Sequence, residues 1–210
     1  MLNRRHRGVS VIELMIGLLL FAVVMMLAFP SFTTMMHNMK IRGKADSILA
    51  GLNAARAEAL KRNPSPGVAG QGVEFLLMLD APDPADVAAF AANTTGPSWA
   101  VRALDPVAGV SFVEGHDGLE GSNETDPANL KVQINAANLP AGNTIRFDGM
   151  GRVNGLAAGT TVVISVTNPT GGACKPVGPM TCLNVVVTPG GRVRMCDPSV
   201  PAGGGDTRAC

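Results

Sequence analysis

The feature that most limits this chain is an apolar run close to its start. From Val9 to Phe29, 21 residues hold only Ser10 and Glu13 among strongly polar types. As a helix rising about 1.5 Å per residue, such a run covers about 30 Å, the thickness of a bilayer's hydrocarbon layer. The preceding MLNRRHRG carries Arg4, Arg5 and Arg7 and no acid, and a basic flank of this kind stays on the cytoplasmic side. The remainder is therefore expected beyond the inner membrane, in the periplasm, on a single-pass anchor. An ordinary secretory signal would end in a small-residue cleavage site. Here the run passes instead into Pro30-Ser31-Phe32 and a stretch that still reads as helix. A plain anchor leaves Glu13 unexplained, because a carboxylate in the apolar layer costs about 2.5–3.5 kcal/mol.

Helical periodicity continues to about Arg62. Ile41, Ala45, Ile48, Leu52, Ala55 and Ala59 recur at steps of 4 and 3 and form one stripe, with Lys44, Ser47, Arg56 and Glu58 mostly off it. That stripe predicts packing against a globular head. Asn63-Pro64-Ser65-Pro66-Gly67 stops the helix. Beyond it the alternation and turn signals predict strands at Val73–Leu79, Trp99–Leu104, Gly109–Val113, Leu130–Ile134, Thr144–Phe147, Thr161–Thr167, Leu183–Thr188 and Arg192–Cys196. Asp148-Gly149-Met150-Gly151 and Pro189-Gly190-Gly191 read as hairpin turns. Residues 80–97 read as an acidic loop or short helix, and 114–129 as a polar loop. The expected fold is α+β, a long helix on an antiparallel β-rich head, divided as 1–8 (leader), 9–29 (membrane or filament core), 30–62 (soluble half of the helix) and 63–210 (head).

Net charge is only +1, but its distribution is uneven. Residues 74–126 hold ten acids and one base, Arg102, whereas 127–210 hold seven bases and three acids. Such asymmetry fits either a binding face or a solvated surface. All four cysteines, Cys174, Cys182, Cys196 and Cys210, fall in a Gly- and Pro-rich stretch without CxxC spacing. This predicts disulfides and an oxidising compartment. Three pairings are open, and Cys174–Cys182 with Cys196–Cys210 closes the shortest loops.

Arg7-Gly8-Val9-Ser10-Val11-Ile12-Glu13-Leu14 resembles the class III signal of type IV pilins and type II secretion pseudopilins. The resemblance implies cleavage by prepilin peptidase after Gly8 and N-methylation of Val9, which stands where Phe is usual. It implies that Glu13, fifth in the mature chain, sets register during assembly with other major and minor pilins. Residues 9 and 13 are one helical turn apart, so the Glu13 carboxylate has either its own amine or a neighbour's as partner. Ala54–Arg62, Ile145-Arg146-Phe147-Asp148 with Gly151-Arg152-Val153, and Gly191-Arg192-Val193-Arg194 resemble the GspH/FimT family of minor pilins and pseudopilins. In that family a GRxR pattern, here Gly191 to Arg194, marks members that bind double-stranded DNA during natural transformation.

The physical reading of those residues is compatible. Gly190-Gly191 permits a tight turn, and Arg192 and Arg194, two apart on a strand, leave the same face. Guanidinium groups grip phosphates bidentately, and Lys175 and Arg208 join them if disulfides fold the chain back. Arg152 is a weaker candidate. The competing reading makes Arg192 and Arg194 guards of an edge strand. His6, His37 and His116 are scattered, and no nucleophile elbow or phosphate-binding glycine loop occurs. No catalytic residue, metal or cofactor is expected.

Overall fold

The computed structural model describes residues 10–68, 70–118, 130–135, 138–139 and 142–210. The expected cleavage position at Gly8 and Val9, and most of the 114–129 loop, lie outside them. One long helix, α1 (Val11–Arg62), opens the described chain and eight strands follow. They are β1 (Gly72–Met78), β2 (Ser98–Asp105), β3 (Gly109–His116), β4 (Lys131–Ile134), β5 (Thr144–Phe147), β6 (Val162–Thr167), β7 (Leu183–Val187) and β8 (Val193–Cys196). By contacts the chain divides into two compact units, residues 1–36 and 37–210.

In the first unit α1 is apolar on every side and its large side chains are exposed, Val11 to 78% and Met26 to 81%. Among the described residues no single helix is long and apolar enough to cross a membrane, but Val11–Met26 and Ser31–Arg62 qualify as a bent pair. Val11–Met26 alone reaches only about 24 Å. The bend falls between Met26 and Ser31, in a stretch whose sequence holds Pro30, which has no backbone N–H to donate to a helix.

The second unit is a helix on two antiparallel sheets, in the orders β3-β2-β1-β5 and β4-β6-β7-β8. All six stripe residues of α1, Ile41 to Ala59, are fully buried. They join Val73, Phe75 and Leu77 of β1, Val101 of β2, Ile145 of β5, Ile164 of β6, and Val185 and Val187 of β7 in one core. Strand β1 is buried along its whole length. Its other face, Leu76 and Met78, is covered by Val87 and Phe90 from residues 80–97. That segment contains a 3-10 helix, Pro84–Ala89, started by the Asp83 carboxylate, which accepts from the Ala85 N–H at 2.9 Å.

Lys44, off the apolar stripe, is buried as well, because the head wraps more of the helix than the stripe itself. On that broader face Trp99 donates from Nε1 to Ser47 Oγ at 2.9 Å and leaves no room for a Cβ at Gly51. Asp148–Gly151 forms a tight turn closed by one bridge, Phe147 to Val153, rather than a two-stranded hairpin. The Val153 N–H bonds Pro189 O at 2.9 Å, which draws the chain toward the β7–β8 turn. Residues 114–116 extend β3 by pairing with β2 and are not loop.

Candidate nucleic-acid interface

The Pro189-Gly190-Gly191 segment joins β7 to β8, and its closure uses backbone and hydroxyl together. Thr188 N–H donates to Arg192 O at 3.0 Å, Gly191 N–H to Thr188 O at 2.8 Å, and Arg192 N–H to Thr188 Oγ1 at 3.2 Å. Gly191 has φ of 73°, a region that side chains disfavour. A Cβ there would also lie 1.7 Å from Gly151 O. The β7–β8 turn therefore rests directly on the Asp148–Arg152 turn. The second turn is tied by the buried Asp148 carboxylate, which accepts from the Met150 and Arg152 N–H groups, each at 2.9 Å, and from Arg152 Nε at 3.1 Å. Gly149 N–H bonds Pro64 O at 3.0 Å, and Arg56 Nε lies 3.0 Å from the Cβ position of Gly151. The residues that carry the GspH/FimT resemblance thus meet at one junction of helix end and two turns.

The expected contact residues divide here. Arg192 is exposed, and its guanidinium makes no hydrogen bond or ion pair with another described residue. Arg194, opposite Val186 on the edge strand β8, donates from Nη1 to Ala209 O at 2.9 Å and from Nη2 to Cys210 O at 2.8 Å. Arg208 is exposed but paired with Asp206 at 2.7 Å, and this bond pulls the Asp206 carboxyl down to about 2. Lys175 is exposed in the loop closed by the Cys174–Cys182 disulfide. The second disulfide, Cys196–Cys210, folds residues 197–210 back on β8, where Asp197 N–H bonds Arg208 O at 2.7 Å. The fold-back brings Arg208 beside β8 but commits Arg194 to carbonyl oxygens.

Two further groups were not evident from spacing. Glu74, 2% exposed in β1, faces Arg102 of β2 and Arg146 of β5 in register. It accepts from Arg102 Nε at 2.9 Å, from Thr144 Oγ1 at 3.2 Å and from the Arg146 guanidinium. Burial alone would raise the Glu74 carboxyl, but Arg146 and Arg102 hold it below the usual range. Arg102 also reaches the Val87 and Phe90 carbonyls, so this cluster fastens the 80–97 segment to its sheet. On α1, Lys44 Nζ and Arg56 Nε are buried with no hydrogen-bond partner among the described residues. A period-2 count would have put Glu74, Arg102 and Arg146 on one face only had the strand register been known.

Glu13 stands in the first turn of α1 on its exposed, apolar half. The helix starts there with Leu14 N–H bonded to Ser10 O at 3.1 Å. A carboxylate in a first turn is favoured by the helix dipole. Across residues 3–29 the sequence matches the family described as the prokaryotic N-terminal methylation motif. The chain carries that motif. A search of curated proteins finds no relative. Among solved structures, the type IV minor pilin FimU of Pseudomonas aeruginosa strain PAO1 is similar over 77% of this chain and 97% of that one, at 14% identity and a TM-score of 0.46.

Proposed function

We propose that this chain is a minor type IV pilin of the GspH/FimT kind. The observation that carries the reading is the methylation motif on a helix whose first half exposes its apolar side chains and whose second half is buried on a β-rich head. In this reading prepilin peptidase cuts after Gly8 and Val9 is methylated. The apolar half rests first in the inner membrane and then among the helices of other pilins, with the head in the periplasm. Glu13 neutralises an amine, its own or a neighbour's, as the subunit enters the filament.

The finer reading is that the head binds double-stranded DNA without sequence preference, through Gly191-Arg192-Val193-Arg194 with Lys175 and Arg208, during uptake. The exposed, unengaged Arg192 beside a tight turn suits this, since guanidinium–phosphate contact releases counterions and needs no base readout. The alternative is a structural minor pilin or pseudopilin that primes assembly of a pilus or a type II secretion pseudopilus without binding DNA. The internal ties of Arg194 and Arg208 favour that alternative. Titration of the detergent-solubilised full chain with a DNA duplex across a salt series decides between them. Salt-sensitive binding lost in Arg192→Ala/Arg194→Ala supports the DNA-binding pilin. A folded protein that leaves the duplex free at low salt is an assembly subunit only.

A further inference from the structure

We propose, resting on the DNA-binding reading above, that the phosphate grip is centred on the contact between the two turns. It is carried by Arg152 and Arg192 with Arg56 adding charge from α1, while Arg194 and Arg208 serve as ties for residues 197–210. The argument starts from what each guanidinium already does. Arg194 spends both terminal nitrogens on the Ala209 and Cys210 carbonyls. Arg208 meets Asp206 through Nε and Nη2. Each therefore meets a phosphate with fewer free donors and a side chain already held elsewhere. Arg192 has no such bond to give up among the described residues.

Arg152 is intermediate. Its side chain is 51% exposed, and Asp148 engages only Nε. One of five N–H donors is used to fix the side chain, and the terminal nitrogens have no partner among the described residues. The acid at the junction is engaged at both oxygens: one Asp148 oxygen takes two backbone N–H groups and the other takes Arg152 Nε. Arg56 reaches the same place from the helix, its Nε 3.0 and 3.3 Å from the Cβ positions of Gly151 and Gly191. Arg56, Arg152 and Arg192 thus converge on the two turns, and only Arg152 is paired with Asp148.

Geometry makes the grip rigid. Arg152 and Arg192 each follow one of the two glycines in contact, so the backbone contact fixes where both side chains start. The Val153 N–H to Pro189 O bond locks that contact. A phosphate bound here pays little to order the turns. Two such contacts give modest affinity with a log–log salt slope of about −0.9 for each phosphate engaged.

The experiment uses detergent-solubilised full chain and a fluorescent DNA duplex of arbitrary sequence, followed by anisotropy across a salt series. Arg152→Gln and Arg192→Gln are each expected to flatten the slope by about 0.9, and the pair to weaken binding about tenfold or more at low salt. Arg208→Gln and Arg194→Gln are expected to keep the wild-type slope. Arg152→Lys/Arg192→Lys, which keeps charge, is expected to retain the slope and decides the matter if a Gln variant shows a displaced thermal transition. Binding with an unchanged slope in the Gln pair, or a slope lost in Arg194→Gln or Arg208→Gln, overturns this assignment while leaving the DNA reading standing. A wild-type chain that binds no duplex at any salt overturns both.

Discussion

Lys44 is the residue whose surroundings oppose its own chemistry most strongly. Its ammonium is buried without a hydrogen-bond partner among the described residues. Burial lowers its pKa to about 8, against a smaller opposing pull from Asp117. An unfolded lysine binds its proton up to about pH 10.4. Between pH 8 and that value the unfolded state holds more protons, so stability rises with pH across the window. Below pH 8 the charged form weighs against folding by about 3 kcal/mol. Chemical denaturation of Lys44→Met should show a more stable head at pH 7 and a flatter profile between pH 8 and 10 than wild type. Glu74 is the opposite case, a buried charge fully matched. Its depressed carboxyl contributes stability above its ordinary value of 4.5, lost as pH falls through the lower folded value. Truncating one side of such a pair costs about 3–5 kcal/mol, so Glu74→Gln should lower the denaturation midpoint well below wild type at pH 7.

Among the elements, residues 197–210 depend most on a single bond. They contribute little to the main core, and Cys196–Cys210, the Asp197–Arg208 backbone bond and the Arg194 guanidinium hold them against β8. A loop of this length closed by a disulfide is stabilised by about 3 kcal/mol. Cys196→Ser/Cys210→Ser should leave amide exchange in α1 and β1 near wild type while residues 197–210 lose protection. The elements themselves were largely legible in the sequence. Each of the eight strands sits within a few residues of its expected span, because alternation and glycine or proline punctuation are local signals. The buried stripe from Ile41 to Ala59 was equally plain. What stayed hidden were properties set by pairing across distance: Lys44 under the Trp99 side of the head, Glu74 between arginines on two neighbouring strands, and Arg194 turned to carbonyls 15 and 16 residues away. The sequence placed Arg192 and Arg194 on one face, but only the fold separates an unengaged guanidinium from an engaged one.

At the scale of the whole molecule, the two units place opposite demands on their environment. Residues 37–210 bury a shared core, whereas the described large apolar side chains from Val11 to Met36 are exposed in a number that water does not tolerate. Glu13 belongs to the first unit alone. Glu13→Gln should therefore leave the thermal transition of the head unchanged while reducing recovery of the subunit in sheared filaments, measured by immunoblot of the filament and membrane fractions. Equal recovery would remove Glu13 from assembly. The contact between Gly151 and Gly191 has a wider consequence. It admits no Cβ, for reasons that concern only how two turns nest. Any chain built on this junction needs the glycine, whatever its surface touches. A pattern search anchored on Gly191 would gather proteins by shared architecture. Its power to sort nucleic-acid binders from scaffolding subunits rests on the arginines alone, and on whether each is left unspent.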